Sequence, residues 1–209
     1  REEAGYDAVI QAEGGLMSVT GAPDGPAVRL GVAIADIAAG MYAYSGILAA
    51  LHARERTGRG QQVEASLLGA MIYAQASEFT YTFLTGKDVP APLGGHPLIP
   101  MIYGVVPTQD GLIALVGVPE PDRGRFYELI GRPDLGKDAR FDMPLLTNEN
   151  RIALFVEFAA TFKAKTTQEW SALLRAAGIR YAVVRSRLEV AQDEGVYENG
   201  YLQRIDHAE

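Results

Sequence analysis

Asp36 is the residue around which this sequence reads as chemistry. It stands at the head of residues 37–51, where the only polar side-chain groups are the hydroxyls of Tyr42, Tyr44 and Ser45. That pattern predicts a helix over 36–55 buried on nearly all sides, with Gly40 and Gly46 admitting close neighbours. A carboxylate in this place has two readings. As an N-cap it accepts hydrogen bonds from the free N–H groups of the first turn and contributes about 0.5–2 kcal/mol. As a nucleophile it uses the same N–H groups, and the positive end of the helix dipole, to stay ionised in a dry pocket.

The elements that must position Asp36 follow from pattern and punctuation. The apolar helix closes on Arg54, Glu55, Arg56, Thr57 and Gly58, a basic last turn with a glycine stop. A strand over 61–66 and a second helix over 67–85 come next. Before Asp36, residues 1–13 predict a short helix and 14–33 an irregular connection rich in Gly and Pro. Residues 86–100, with Pro90, Pro92, Pro97 and Pro100, form a linker. Beyond it, 101–107 and 112–118 flank Thr108-Gln109-Asp110-Gly111, whose Asp-Gly pair signals a hairpin. Helices are predicted over 119–130, 147–164 and 167–177, the last two capped at Thr147 and at Thr166 or Thr167. Trp170 shares a helical face with Leu173, Leu174 and Ala177 and belongs to a core. A strand over 181–184, a short helix over 187–194 and a strand over 201–205 complete a small α+β domain. The expected division is 1–85, a linker at 86–100, and 101–209.

The order Asp36, apolar helix, Thr57-Gly58-Arg59-Gly60-Gln61, strand and helix resembles the class III CoA-transferases, which include formyl-CoA and carnitine CoA-transferases and, as a divergent branch, the α-methylacyl-CoA racemases. The likeness begins at Gly5-Tyr6-Asp7, continues through Gly14-Gly15-Leu16-Met17 and Thr20-Gly21, and reaches Gly95-His96-Pro97 and Asp110-Gly111. Asp138-Ala139-Arg140-Phe141, Asn150-Arg151, Glu169-Trp170 and His207 extend it over nearly the whole chain. The resemblance implies an α/β fold: part of a Rossmann-like, CoA-binding large domain, followed by the small α+β domain. It also implies a longer protein, of which this chain lacks the N-terminal half with most of the adenine and pyrophosphate contacts, so that the chain alone can be inactive.

What the resemblance implies for the site is specific. Asp36 matches the family nucleophile, which forms a mixed anhydride and then an aspartyl-CoA thioester. Tyr6 stands where the racemase branch carries the His of an acid/base pair. A phenol with an ordinary pKa near 10 is a poor base, so Tyr6 favours transfer over racemisation, with orientation of the thioester or a half-buried structural aromatic as its two roles. Gly94, Gly95 and His96 match a glycine-rich loop that shields the intermediate, though proline-rich linker describes them equally. Arg59, with Arg54 and Arg56, either contacts CoA phosphates or simply complements a helix C-terminus. The partners implied are an acyl-CoA, a carboxylic acid acceptor and a second subunit in an interlocked homodimer. CoA serves as substrate and product, and no permanently bound cofactor is expected. A racemase-like isomerase and a non-catalytic subunit remain as alternatives.

Composition narrows the classes further. The chain has 209 residues, a net charge of −7, no Cys and three His, at 52, 96 and 207, without ligand spacing. These features argue against a disulfide framework, a thiolate metal site and nucleic acid as the main partner. Residues 37–51 fall short of an uninterrupted 18-residue apolar run and no leader pattern is seen, so a cytoplasmic protein without a membrane span is expected. An acidic chain that binds polyanionic CoA must do so through local Arg and Lys residues.

Overall fold

The structure is a computed structural model of the chain and describes residues 5–22, 25–89, 99, 101–142 and 146–205. It divides into two compact units, residues 1–93 and 94–209.

The described part of the first unit is helical: α1 (Asp7–Glu13), a 3-10 turn (Leu16–Ser18), α2 (Ile34–Thr57), α3 (Leu67–Ala74) and α4 (Ala76–Thr85). It therefore supplies helices, and no strand of a Rossmann-like sheet lies among its described residues. Its small core joins Ile10 of α1, Ala35 of α2 and Met71 of α3, with Leu16, Ile34, Ala38, Leu67 and Leu68 packed around them. Gly58 ends α2 at φ 72°, a left-handed conformation that costs glycine little.

Four expectations for this unit are corrected. The helix predicted over 36–55 is not buried on nearly all sides: only Ala35 and Ala39 of α2 are buried, and Met41 and Tyr44 are 66% and 64% exposed. A helix apolar all round needs cover all round, and the described residues cover one stripe. By length and composition alone α2 is the one described helix long and apolar enough to cross a bilayer, a property that core helices of water-soluble proteins share. Residues 61–66 form no strand; they run beside α2, where a Cβ on Gly46 would meet Val63 Cγ1 at 2.7 Å. Gly40, by contrast, faces open space. The helix predicted over 67–85 breaks at Gln75, whose buried amide donates to the carbonyls of Met71 at 2.9 Å and Gly14 at 2.7 Å. The Gln75 N–H turns instead to Ile72 O at 3.2 Å, a tighter turn that ends α3.

The second unit holds a three-stranded antiparallel sheet in the order β1 (Met101–Pro107), β2 (Leu112–Pro119), β3 (Tyr181–Val183). After β2 come a 3-10 turn (Glu120–Asp122), α5 (Arg123–Leu129), a 3-10 turn (Pro133–Lys137), α6 (Asn148–Phe162) and α7 (Thr167–Ala176), with α8 (Arg187–Ala191) and α9 (Glu194–Glu198) after β3. Residues 201–205 form no strand. The hairpin and the caps at Thr147 and Thr166 stand where their residues predict. The core is aromatic: Phe126, Tyr127, Phe158, Phe162 and Trp170 are all buried.

The β1–β2 turn is fastened to the start of α7. The Asp110 carboxylate accepts from the Thr167 N–H and hydroxyl, both at 2.7 Å, and these bonds hold its pKa below the usual 3.8, the backbone N–H being the largest cause. Glu169 is lowered in the same way, chiefly by the Thr166 N–H. A folded pKa below the unfolded one means stability that is complete above about pH 4 and is lost as pH falls through the folded value. Thermal melts from about pH 6 down to about pH 2 should therefore fall below pH 4, and Asp110→Asn should flatten that fall. An unchanged acid slope in the variant would refute the assignment.

Candidate active site at the start of α2

The entry to α2 is built by residues far away in sequence. Ala33, the N-cap residue, has no capping side chain. The Ala35 N–H donates instead to Asp7 Oδ1 at 2.9 Å. Asp7 is steadied by Gln11, whose Nε2 donates to Asp7 Oδ2 at 2.8 Å and to Val32 O at 3.4 Å. Gln11 Oε1 accepts from the Leu30 N–H at 2.9 Å. Gln11 is fully buried, so its amide is committed to these bonds and fixes the chain over residues 30–35.

Asp36 is therefore not the cap. It is the third residue of α2, exposed, and among the described residues its carboxylate accepts no hydrogen bond. It lies in the first turn, at the positive end of a 24-residue helix, where a carboxylate is favoured by about 0.3–1 kcal/mol. In this chain it is not covered, contrary to the dry pocket expected of a nucleophile.

Tyr6 comes to the same end of the unit. It adjoins Asp7 as Asp36 adjoins Ala35, so the 2.9 Å Asp7–Ala35 bond sets the two candidates one residue to either side of a single contact. The Tyr6 ring is 71% exposed, which corrects the half-buried reading. Arg59 does not join them. It lies beyond the far end of α2, its N–H donating to Thr57 Oγ1 at 3.3 Å, about 30 Å from Asp36 at 1.5 Å per helical residue. Gly94, Gly95 and His96 lie outside the described residues. No cluster of three or more metal-ligating side chains occurs among the described residues.

Along the same helix an open groove of about 530 Å³ is lined by Tyr42, Gly46, Val63, Ser66, Gly69 and Tyr73 among others. Tyr42 and Tyr73 meet edge to face there, with centroids 5.3 Å apart. Asp7 and Gln11 are the residues that reading the sequence missed as site components. The signal was present as a short-range pair four residues apart beside Tyr6, but its target 28 residues on was not.

Residues 1–209 match the family described as CoA-transferase family III. The succinyl-CoA:glutarate CoA-transferase of Mus musculus is 31% identical over 205 residues, covering 98% of this chain and 47% of that protein. The succinate–glutarate CoA-transferase of Agrobacterium fabrum is 36% identical over 164 residues, 78% of this chain and 40% of its own length. Among solved structures, a CAIB/BAIF family protein from Brucella suis superposes with a TM-score of 0.77 at 30% identity, over 95% of this chain and 52% of that one. The chain thus spans about half the length of the curated relatives it matches.

Proposed function

This chain belongs to CoA-transferase family III, and from that premise we propose that it carries the nucleophile of an enzyme that moves CoA from an acyl-CoA to a free carboxylic acid. The observation that carries the reading is Asp36: a carboxylate at the positive end of α2, relieved of capping because Asp7 holds the Ala35 N–H.

The chemistry needs only a carboxylate. An Asp36 oxygen attacks the thioester carbonyl of the donor, the C–S bond breaks, and CoA thiolate leaves a mixed anhydride. The thiolate attacks the Asp36 carbonyl carbon, releases the donor acid as its carboxylate and leaves an aspartyl-CoA thioester. An acceptor carboxylate then attacks that thioester and expels the thiolate again. Attack of the thiolate on the acceptor's acyl carbon forms the new acyl-CoA and restores Asp36. Water must be kept from the anhydride and thioester, so the exposed Asp36 of this chain needs cover in the working enzyme. Following the names of the relatives, we place the acceptor among short dicarboxylic acids. Tyr6 speaks against the racemase alternative, since an exposed phenol beside the helix start is no substitute for a His of an acid/base pair. The test is chemical trapping: the complete protein, incubated with acyl-CoA and then hydroxylamine, should carry a hydroxamate at Asp36. A label on another carboxylate, or none, would defeat the proposal.

The cover we propose includes a second subunit, in an interlocked homodimer. What supports it is α2, with Ile37, Met41, Tyr44 and Ile47 each at least half exposed, more apolar surface than a monomer ordinarily leaves to water. Sedimentation of the complete protein at micromolar concentration is expected to give a dimer. A well-folded monomer would contradict it.

A further inference from the structure

We propose that Asp7 and Gln11 form a clamp that takes over the capping of α2 so that Asp36 stays free to react. This rests on the transferase reading of Asp36 and assigns the pair a positioning role in that reaction.

The start of α2 is served differently from the starts of α7 and α8. The first N–H groups of any helix need acceptors, and an acidic residue at the third helical position commonly folds back to serve the helix start. Glu169 in α7 and Glu189 in α8 do this, each accepting from the N-cap N–H, at 2.8 Å and 2.7 Å. Both helices carry the reciprocal Thr166 or Ser186 cap. Asp36 holds the same third position in α2 but is not used in this way. Its helix has Ala33 at the N-cap, which offers no side-chain oxygen, and the acceptor at the second position is Asp7, delivered from another helix.

Gln11 makes the delivery rigid. One end of its buried amide holds the Asp7 carboxylate and the other holds the Leu30 N–H, so α1 and the segment entering α2 are tied at two points. Without the clamp, the Ala35 N–H loses its acceptor, while Ile34 and Ile37 keep theirs in the carbonyls of Val32 and Ala33, and a carboxylate is close at hand in Asp36. Its capture by the helix start would turn the nucleophile's oxygens toward the backbone.

The experiment uses the complete protein. Asp7→Ala is expected to lower kcat at least about tenfold, as small misplacements of reacting groups do, with KM for acyl-CoA within about threefold. Asp7→Asn keeps an oxygen for the Ala35 N–H but sets an NH2 where the Asp7 carboxylate accepts from Gln11 Nε2, so it should recover part of that loss. Unchanged kcat in Asp7→Ala, or equal loss in both variants, overturns the proposal. A second readout needs no activity: the Ala35 amide should exchange slowly in the wild type and at least about tenfold faster in Asp7→Ala. Should the alanine variant not fold, the wild-type exchange and Asp7→Asn decide, and an Ala35 amide as fast as an open helix end overturns the clamp. Absence of any Asp36 adduct in the wild type would refute the transferase reading instead, and leave the clamp to be judged on exchange.

Discussion

Asp36→Asn should lower CoA transfer at least about a thousandfold, about 4 kcal/mol of transition-state stabilisation, while leaving stability within about 1 kcal/mol. An amide nitrogen and its carbonyl cannot form the anhydride, so the covalent route closes. The structure makes this substitution unusually clean to interpret. Asp36 is exposed, it caps nothing, and the first turn keeps its acceptor in Asp7. The fold therefore loses only the small attraction between a charge and the helix dipole. A variant that melts with the wild type but no longer transfers CoA isolates the chemical role. One that retains transfer removes Asp36 from the mechanism.

Local signals were legible in the sequence and long-range ones were not. Asp110-Gly111 marked a hairpin, and the hairpin is there; Thr147 and the pair Thr166-Thr167 marked helix starts, and the Thr147 and Thr166 side chains accept from the N–H three residues on. Each of these is decided within four residues, where pattern is most informative. The errors lie where a distant partner decides. Residues 61–66 carry a strand's position but find no ladder among the described residues, and 201–205 likewise lack one. Gln75 reads as an ordinary helical residue until its amide meets the Gly14 carbonyl, 61 residues away. Asp36 was legible as a chemical residue. That it would not be the cap was illegible, because the competing acceptor, Asp7, sits 28 residues before the N–H it takes. The exposure of α2 is the same lesson at larger scale: its composition speaks of burial, and the surfaces that would bury it are not in this chain's described residues.

Trp170→Ala should cost about 3–5 kcal/mol, a large loss of stability for a single truncation. Trp170 is 2% exposed and stacks on Phe162 with ring centroids 4.4 Å apart. Its Nε1 donates to the Phe162 carbonyl at 2.7 Å. Lys165 Nζ stands 5.2 Å from the ring centre, on the turn between α6 and α7. One side chain thus fills the core, satisfies the end of α6 and holds the turn from which α7 starts. Trp170→Phe separates these parts: it keeps most of the packing and gives up the hydrogen bond, at about 0.5–1.5 kcal/mol, because the Phe162 carbonyl still accepts from the Lys165 N–H at 3.4 Å. Because this is the chain's single Trp, unfolding must be followed by circular dichroism, with denaturant midpoints read at a common slope. The order expected is wild type, then the Phe variant, then the Ala variant. An Ala variant within about 1 kcal/mol of the wild type would mean that α6 and α7 are held by something other than this residue.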